Sequence, residues 1–591
     1  MRTHEPYEGS RMTTSYFSDL LVEFLNQQGI DKVAFNPGAS FRGVHDSLVH
    51  ASEAPDIVMA CHEEIAVALA HGYHKASGRH MAVFVHANVG LLHASMAIFN
   101  AWCDRVPLFV LGGNGPVDAG KRRPWIDWIH TSQNIESVVK DYVKWCDQPI
   151  GQRATVESLY RAFKLMNTPL HAPVFVALDF DVQEQELADG VRLLPAAATE
   201  PTRLPALGGS ELDHLVGRLR EAQLPVLIVD FSGRDPETVA PLVALADALG
   251  LAVVDRGNRM NFPNNHQLNV SSTGLLDAAD LVIALEVQDL VGALGSFLPL
   301  TDEGLPANGA EVVTLGFNEL LTSKWAADYQ QFVPVSLAVA ADTGQSVAAL
   351  REVAEDPEGP FAAAEFTERR EERVKALSAL HTEARAEWAR QADEARGREH
   401  IQVSTAVAEI HRAVRDEEWV LTNTGSLTID GWVKKLWPLE RPGSYLGLNG
   451  GGGLGYGLGA SVGAALAHQG DGTLCVDLQA DGDFLYTPSA LWTLAAYDVP
   501  LLVIVMNNRL YLNSTQHAER IADNRDRDTG RAHIATSFYD QPVDFVTLAE
   551  SYGVHALPRV ERIEAVESTV REAVAHIKEH GKPVLVEILM D

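Results

Sequence analysis

The chain has 591 residues, enough for about three or four domains of ordinary size. Hydrophobic residues make up 46% and charged residues 21%, a balance that excludes a mainly transmembrane or mainly disordered protein. The 47 Lys and Arg against 79 Asp and Glu give a formal net charge of −32. Because so acidic a surface repels nucleic acid and anionic lipid, we expect neither as a partner.

The cysteines and the N-terminus indicate where the protein works. The four cysteines lie far apart without a C-x-x-C pair, which predicts neither a zinc site nor a disulfide framework. The N-terminal segment MRTHEPYEGSRMTTSYF lacks the apolar stretch of a signal peptide, and no apolar run approaches about 18 residues. We therefore expect a cytoplasmic location.

The first part of the chain alternates helical and strand-like patterns. SYFSDLLVEFLNQQG predicts an amphipathic helix, whereas DKVAFNPG, MAVFVHA, VPLFVLGG and PVFVALDFD predict strands. Apolar strands separated by helices favour a mainly parallel sheet that is covered on both faces. We assign residues 1–185 to this first α/β domain.

Two further α/β domains follow, so the predicted fold class is three doubly wound parallel-sheet domains. Residues 186–209 are rich in Pro, Ala and Gly and indicate a linker. Four short apolar strands predict a central domain at 210–355. Residues 356–400 contain a highly charged helical stretch with few apolar positions, which favours a solvated connector. Residues 401–591 form the third domain.

The strongest chemical signal is ADGDFLYTPSALWTLAAYDVPLLVIVMNN at residues 480–508. Asp481 and Gly482 follow one apolar strand, and Asn508 ends the next. Parallel strands present their carboxyl ends at one edge of the sheet, where ligands bind. A carboxylate and an amide oxygen can there share one Mg²⁺. Two unrelated turns are the alternative, since D-G and N-N turns are common.

This segment resembles the thiamine diphosphate motif, G-D-G followed some two dozen residues later by N-N, with Ala480 in place of the first Gly. Within that superfamily, SALWTLAAYDVP is similar to benzoylformate decarboxylase and acetolactate synthase, and the resemblance covers about residues 16–590. It implies bound thiamine diphosphate and Mg²⁺, with the pyrimidine half on the first domain and the diphosphate half on the third. The implied metal ligands are the side chains of Asp481 and Asn508 and the carbonyl of Leu510.

A second segment, LGLNGGGGLGYGLGASVGAAL, places four glycines at 450–453 before Leu454. Such a run allows close backbone approach to a ligand, or it forms a flexible loop before a small-residue helix. The resemblance implies that Leu454 wedges under the cofactor and that the Gly452 carbonyl holds its pyrimidine amino group. NTGSLTIDGW resembles the loop that meets the diphosphate. The other implied cofactor contacts in the third domain are Gly425, Ser426, Gly482 and Asp483.

A third segment, ACHEEIAVALAHGYHKASG, starts a helix with two glutamates. A first-turn carboxylate ordinarily just interacts with the helix dipole. H-E-x-x-A followed by G-Y and A-x-G, however, resembles the superfamily segment with the catalytic glutamate, at Glu63. The resemblance implies that Glu63 shares a proton with the cofactor pyrimidine, and such assistance is worth roughly 10²–10⁴-fold. It also implies that two chains face each other, each lending Glu63 to the other, in a dimer or tetramer.

Other segments suggest the substrate side. FNPGASF resembles the turn beside the pyrimidine, with Pro37 as a contact. VHANVGLLHASM resembles a loop of the reactive centre, where His86 matches a histidine of benzoylformate decarboxylase and His93 replaces an asparagine. Either can donate a proton or be structural. RMNFPNNHQL places His266 near the active-site mouth of some relatives, where it is often structural. For RRPWIDWIHTSQN, at 122–134, we favour a solvated turn over an aromatic patch.

The expected reaction is nonoxidative decarboxylation of a 2-oxo acid, or acetolactate synthase-like transfer of the acyl unit. The substrate is thus a small molecule. We do not expect FAD, because ALEVQDLVGAL lacks the glycine and arginine positions of the flavin segment in acetolactate synthases. HANVGLLHASM also resembles a ring-cleaving dione hydrolase of the superfamily, so C–C hydrolysis is an alternative. A cofactor-binding regulatory protein without turnover is the alternative of another class.

Overall fold

The computed structural model describes residues 14–257, 259–320 and 331–590. The expected lack of a signal peptide concerns an N-terminal segment whose residues 1–13 lie outside these ranges. The described strands form three sheets, and every paired strand in them runs parallel to its neighbours. The predicted fold class is confirmed. Within the same ranges, no helix combines the length and the apolar character needed to cross a bilayer.

The first sheet has six strands and is built from the N-terminal part of the chain. Its strands are β1 (Lys32–Phe35), β2 (Asp56–Met59), β3 (Ala82–Val85), β4 (Phe109–Asn114), β5 (Trp145–Asp147) and β6 (Val174–Asp179). The accompanying helices are α1 (Phe17–Gln27), α2 (Arg42–His50), α3 (Glu63–Ser77), α4 (Ala87–Cys103), α5 (Asp127–His130), α6 (Gln152–Asn167) and α7 (Phe180–Glu184). The strand order is β2-β1-β3-β4-β6-β5.

The second sheet has five strands and forms the centre of the chain. Its strands are β7 (Pro225–Val229), β8 (Ala252–Asp255), β9 (Leu281–Leu285), β10 (Glu311–Leu315) and β11 (Leu337–Val339). The helices of this part are α8 (Gly209–Glu221), α9 (Val239–Leu249), α10 (Leu290–Gly295), α11 (Thr343–Glu355) and α12 (Ala364–Ala395). The strand order is β11-β10-β9-β7-β8.

The third sheet also has five strands. They are β12 (Trp419–Asn423), β13 (Leu474–Ala480), β14 (Leu501–Asn507), β15 (His555–Ala556) and β16 (Val584–Leu589), in the order β12-β13-β14-β16-β15. The helices are α13 (Val403–Val414), α14 (Leu427–Leu436), α15 (Tyr456–Ala467), α16 (Asp481–Phe484), α17 (Ala490–Ala496), α18 (Leu512–Asp523), α19 (Phe545–Ser551) and α20 (Ile563–His580).

The chain divides into two compact units. The first contains the residues up to Thr202 together with Asn449–His468 and Leu485–Val499, and the second contains the remaining described residues. Two segments that the sequence assigns to the third domain thus cluster with the first. The domain limits proposed from the sequence stay a prediction.

Helix α15 packs on α3 inside the first unit with almost no side chain between the two backbones. A Cβ on Gly72 would lie 1.8 Å from the carbonyl oxygen of Ala460, and one on Gly463 would lie 1.9 Å from that of Leu69. Only glycine fits where main chains approach this closely. The small-residue sequence of α15 is therefore explained by its contact with α3.

The connector predicted to be solvated is a long helix, α12, with one buried side. Phe366 and Leu377 belong to the core of the central domain. Arg373 is buried and donates to main-chain carbonyls at or just beyond the C-terminal ends of α8 and α9. The prediction of a solvated connector missed this buried side of the helix, because the buried stripe also contains ionisable residues, Arg373 and His381, which hide its apolar character.

The α3–α15 contact predicts that Gly72→Ala lowers the melting temperature. Overpacking typically costs about 1–3 kcal/mol, and a clash with a main-chain carbonyl cannot be relieved by rotating a side chain. Gly217→Ala in α8 is the matched control, because nothing lies within 4 Å of its added Cβ. This control is expected to unfold at the wild-type temperature or slightly above it. Thermal unfolding followed by circular dichroism tests the pair, and equal stability of the Gly72 variant would contradict the packing.

Candidate functional site

The first cluster of expected site residues lies around the start of α3. His62 caps this helix by accepting a hydrogen bond from Glu64 N at 3.2 Å. Glu63 is 5% exposed, although it stands in the first turn of the helix. Its carboxylate lies against α4, since a Cβ on Gly90 would be 2.6 Å from Glu63 Oε1. Glu63 is therefore a buried acid beside the N-terminal turn of another helix.

His93 lies beside this acid. Its Nδ1 is 3.4 Å from Glu63 Oε2, and its side chain is 60% exposed. The His93 ring stacks on that of His62 with the centroids 4.8 Å apart. An exposed imidazole next to a buried carboxylate can exchange protons with both solvent and a ligand.

His86 directly precedes α4, and its side chain contacts a different set of partners. Its Nδ1 is 2.8 Å from Ser40 Oγ, and its ring meets that of His130 edge-on at 5.2 Å. Burial lowers the pKa of His86, a charge on His130 lowers this pKa further, and Glu63 opposes both effects. His86 is therefore held mainly neutral near pH 7. The sequence analysis singled out the segments that contain Ser40 and His130 but did not predict their contacts with His86.

The two arginines of the aromatic segment at 122–134 bind to groups of the protein itself. Arg123 Nη2 lies 2.7 Å from the fully buried carboxylate of Asp127. Arg122 donates to main-chain carbonyls of the preceding turn. Trp125 and Trp128 are 75% and 73% exposed. The segment thus matches a turn with exposed aromatic rings, and these two arginines already have partners.

Three further expected cofactor contacts lie in the first unit. Pro37 is exposed just after β1. Gly452 is exposed with φ +63°, and Leu454 is half-buried at the end of the glycine run. The residue after Pro37 lies against the start of α4, because a Cβ on Gly38 would be 2.7 Å from the His86 ring. Whether these residues contact a cofactor stays a prediction.

The second cluster lies at one edge of the third sheet. Strands β13 and β14 are neighbours, and Ala480 pairs with Met506 near their carboxyl ends. Asp481 directly follows β13, and Asn508 directly follows β14. The two side chains that the sequence predicts as metal ligands therefore leave the sheet at the same edge, where ligands of parallel sheets bind.

The Asp481 carboxylate is buried with one oxygen satisfied. Its Oδ1 accepts from Gly482 N at 2.9 Å, whereas Oδ2 is buried and accepts no hydrogen bond from the residues that the structure describes. Burial raises the pKa of Asp481 to about 6, and the main-chain amides of Arg509 and Leu510 oppose this rise. Asn508 Oδ1 accepts from Leu510 N at 3.0 Å and so shapes the turn after β14.

The oxygen atoms of Asp481, Asn508 and Leu510 are of the chemical type that Mg²⁺ binds. In the described ranges, no group of three or more His, Cys, Asp or Glu side chains could hold a metal ion. The implied site needs only one carboxylate, because an amide oxygen, a main-chain carbonyl and phosphate oxygens are hard ligands that Mg²⁺ accepts. The unpartnered oxygen of Asp481 suits a cation.

The loop after β12 lies next to this carboxylate. Gly425 has φ +58°, and a Cβ on it would be 2.5 Å from Ala480 N, so no other residue fits without a shift. Ser426 caps α14 by accepting from Ile429 N at 3.3 Å. The free N–H groups at the start of this helix form the usual environment for a phosphate group. Gly425 and Ser426 stay predicted diphosphate contacts.

A buried hydrogen-bond network beneath this edge was missed from the sequence. The Asn423 amide donates to Asp477 Oδ1 and to Gln479 Oε1, each at 2.9 Å. Gln479 in turn donates to Asp483, so the predicted cofactor contact Asp483 is engaged inside the protein. Polar residues inside otherwise apolar strands, as in WVLTN and LCVDLQA, are the signal that could have revealed the network.

His266 contacts residues of the central domain. Its Nε2 is 3.4 Å from Asp247 Oδ1, and its Nδ1 accepts from Leu268 N at 3.2 Å. Its ring meets the buried ring of Phe262 at 5.1 Å. These contacts are structural ones within the central domain. A catalytic role for His266 stays a prediction.

Two domains of known type are recognised in the chain. Residues 16–137 match the N-terminal TPP binding domain of thiamine pyrophosphate enzymes, and residues 424–588 match their C-terminal TPP binding domain. The chain is 27% identical to the benzoylformate decarboxylase of Pseudomonas aeruginosa over 96% of its own length and 97% of that protein. It is 24% identical to the probable chloroplastic acetolactate synthase 2 of Oryza sativa subsp. japonica, over 94% and 81%.

Solved structures share the fold over nearly the whole chain. One is the thiamine diphosphate-dependent 4-hydroxybenzoylformate decarboxylase of Rhodococcus jostii, with a TM-score of 0.76, 22% identity and coverage of 98% of this chain and 99% of that one. Another is the benzoylformate decarboxylase of Polynucleobacter necessarius, with a TM-score of 0.76, 17% identity and coverage of 97% and 98%. The three parallel-sheet domains are thus of the thiamine diphosphate enzyme type.

The surroundings of His86 predict two pKa changes of opposite sign. His130→Asn removes a group that disfavours protonation, so it is expected to raise the pKa of His86. Glu63→Gln removes a group that favours protonation, so it is expected to lower that pKa. NMR titration of labelled histidines measures both, with exposed His50→Asn as the control that leaves His86 unmoved. Shifts of the same sign in both variants would contradict the arrangement.

Proposed function

We propose that this chain, which belongs to the thiamine pyrophosphate enzymes, decarboxylates a 2-oxo acid without oxidation or transfers the resulting acyl unit to an acceptor. Thiamine diphosphate, the same coenzyme under its other name, and Mg²⁺ are the proposed cofactors. The observation that carries the proposal is the buried Glu63 carboxylate, which lies 3.4 Å from His93 at the start of α3. The benzoylformate decarboxylase of Pseudomonas aeruginosa and the acetolactate synthase named above, to which the sequence is similar, support the reaction class.

Glu63 is the proposed acid at the pyrimidine ring of the coenzyme. When bound, the coenzyme supplies an electron sink for the bond next to the carbonyl group. A carboxyl group that is 5% exposed is largely shielded from bulk water and so is free to pair with a ring nitrogen of a bound ligand. General acid–base assistance of this kind contributes about 10²–10⁴-fold.

His86 and His93 are the proposed proton donors and acceptors at the substrate. His86 is held neutral by burial and has its Nδ1 fixed at Ser40 Oγ, so its other ring nitrogen remains for a ligand. His93 is exposed and can exchange its proton with solvent. One histidine then orients the substrate while the other returns a proton to it.

The edge of the third sheet is the proposed anchor for the diphosphate. Asp481 and Asn508 would hold Mg²⁺ through side-chain oxygens, and Leu510 would hold it through its main-chain carbonyl. The unpartnered Oδ2 of Asp481 supports this assignment. Gly425 and Ser426, at the start of α14, would bind the phosphate oxygens.

Glu63→Gln is expected to abolish the catalytic role while leaving cofactor affinity largely intact. The substitution keeps the size of the side chain but replaces its carboxyl group with an amide that cannot act as an acid or a base. Deuterium exchange at C2 of bound thiamine diphosphate should fall by about 10²-fold or more, and so should CO₂ release from a panel of 2-oxo acids. The wild-type products are identified by mass, which separates decarboxylation, acyl transfer and C–C hydrolysis.

Glu53→Gln is the matched control for this experiment, because Glu53 is exposed and lies in the same unit. This control should behave as the wild type in exchange and in CO₂ release. Wild-type exchange in the Glu63 variant would refute the role of Glu63. A wild-type chain that binds thiamine diphosphate without exchange or turnover would favour the regulatory alternative.

We also propose that two copies of the chain share each site, with Glu63 from one copy and Asp481 from the other. Glu63→Gln and Asp481→Asn are each expected to be inactive as homo-oligomers. Subunit exchange between the two variants should then restore up to about a quarter of wild-type activity, because half of each mixed dimer is intact. Activity of the refolded mixture, set against each variant refolded alone, is the measurement. No recovery in mixed oligomers isolated by two affinity tags would mean that each site is built from one chain.

A further inference from the structure

We infer that Asn100 and Asp104, at the end of α4, are positioning residues that fix the glycine run 450–453 and with it the direction of Leu454. The inference deepens the proposed function and rests on it, since Leu454 matters only if the cofactor binds there. All the residues involved belong to the first compact unit.

Asn100 holds the main chain directly before Leu454. Its side chain is fully buried, in the last turn of α4. The amide nitrogen donates to Gly453 O at 3.1 Å, and the amide oxygen accepts from Gly453 N at 3.2 Å. Both polar groups of one glycine are therefore bound by one side chain, which fixes the orientation of that residue. A buried paired amide of this kind is costly to break.

Asp104 holds the other end of the glycine run. Its Oδ1 accepts from Gly450 N at 2.6 Å. Its Oδ2 lies 2.9 Å from His71 Nε2 and 3.1 Å from Lys75 Nζ, both on α3. The carboxylate is 1% exposed in its side chain and the two partner side chains are not exposed at all. A buried ion pair is rigid because separating it leaves an uncompensated charge. The loop is thus tied through Asp104 to α3, the helix that starts at Glu63.

The glycines of the run allow its main chain to approach α4 closely. A Cβ on Gly453 would lie 2.2 Å from Met96 Cε and 2.7 Å from Asn100 Oδ1. A Cβ on Gly451 would lie 2.5 Å from the same amide oxygen. Any larger residue would therefore push the loop off the helix. The alternative of a flexible loop, which the sequence left open, does not agree with these contacts.

Asn100→Ala is the decisive variant, because removing Asp104 would leave the buried Lys75 without its partner. The first readout needs no cofactor. Amide hydrogen exchange of the 446–456 peptide in the cofactor-free chain should become about tenfold or more faster, since both bonds to Gly453 are lost. The second readout uses thiamine diphosphate with Mg²⁺. Deuterium exchange at C2 should fall about tenfold or more, while the Kd for the cofactor changes less than about threefold because the diphosphate anchor is intact.

Asn308→Ala is the matched control. Asn308 makes the same kind of main-chain bonds in the central domain, donating to Asp277 O and Ala279 O and accepting from Ala310 N. Its loss should lower the melting temperature without changing either exchange readout. Gly453→Ala is the second variant, because it disturbs the same contact from the side of the loop. It should reproduce both effects of Asn100→Ala even if that variant does not fold.

Unchanged amide exchange in the Asn100 and Gly453 variants would overturn the inference outright. Faster amide exchange with wild-type C2 exchange would also overturn it, because the clamp would then be structural only. A wild-type chain without C2 exchange would instead count against the proposed function. The cofactor-free readout would still test the clamp in that case, so the two failures are distinguishable.

Discussion

The parallel pairing of β13 and β14 is the constraint on which the third-sheet cluster depends. The register that sets Ala480 beside Met506 brings two loops, far apart in sequence, to one edge. Asp481 and Asn508 therefore leave the sheet at the same edge, whatever their side chains contribute. A shift of one residue in this register would move every side chain of a strand to the opposite face of the sheet. Since nearly all residues of β13 and β14 are buried, their packing holds this register and with it the site.

Most of the fold was predictable because the central strands are apolar runs bounded by turns. The strands missed from the sequence, β2, β5, β11 and β15, lie at sheet edges and contain two to four residues. An edge strand has one neighbour and a partly exposed face, so it needs no continuous apolar run. The buried side of α12 was not predicted for a related reason, since the charged or ionisable residues Arg373 and His381 lie on that side.

The site was predictable only where a motif is local in sequence. Glu63, Asp481 and Asn508 each stand in such a segment, and the structure places Glu63 beside His93. Asn100 was not foreseeable, because its partner Gly453 is remote in sequence and an asparagine near a helix end has many ordinary roles. His130 was missed likewise, as its contact with His86 depends on how one loop folds over α4.

The guanidinium of Arg373 acts as a shared cap for two helices, since it binds carbonyls at or beyond the ends of both α8 and α9. Those carbonyls have no partner within their own helices and need an external donor. The long helix α12 is consequently packed against the central domain and is not a loose linker. An insertion or deletion inside α12 would move Arg373 away from the ends of both α8 and α9 at once. We therefore expect changes of length to be better tolerated in the stretch before Ala364 than inside the helix.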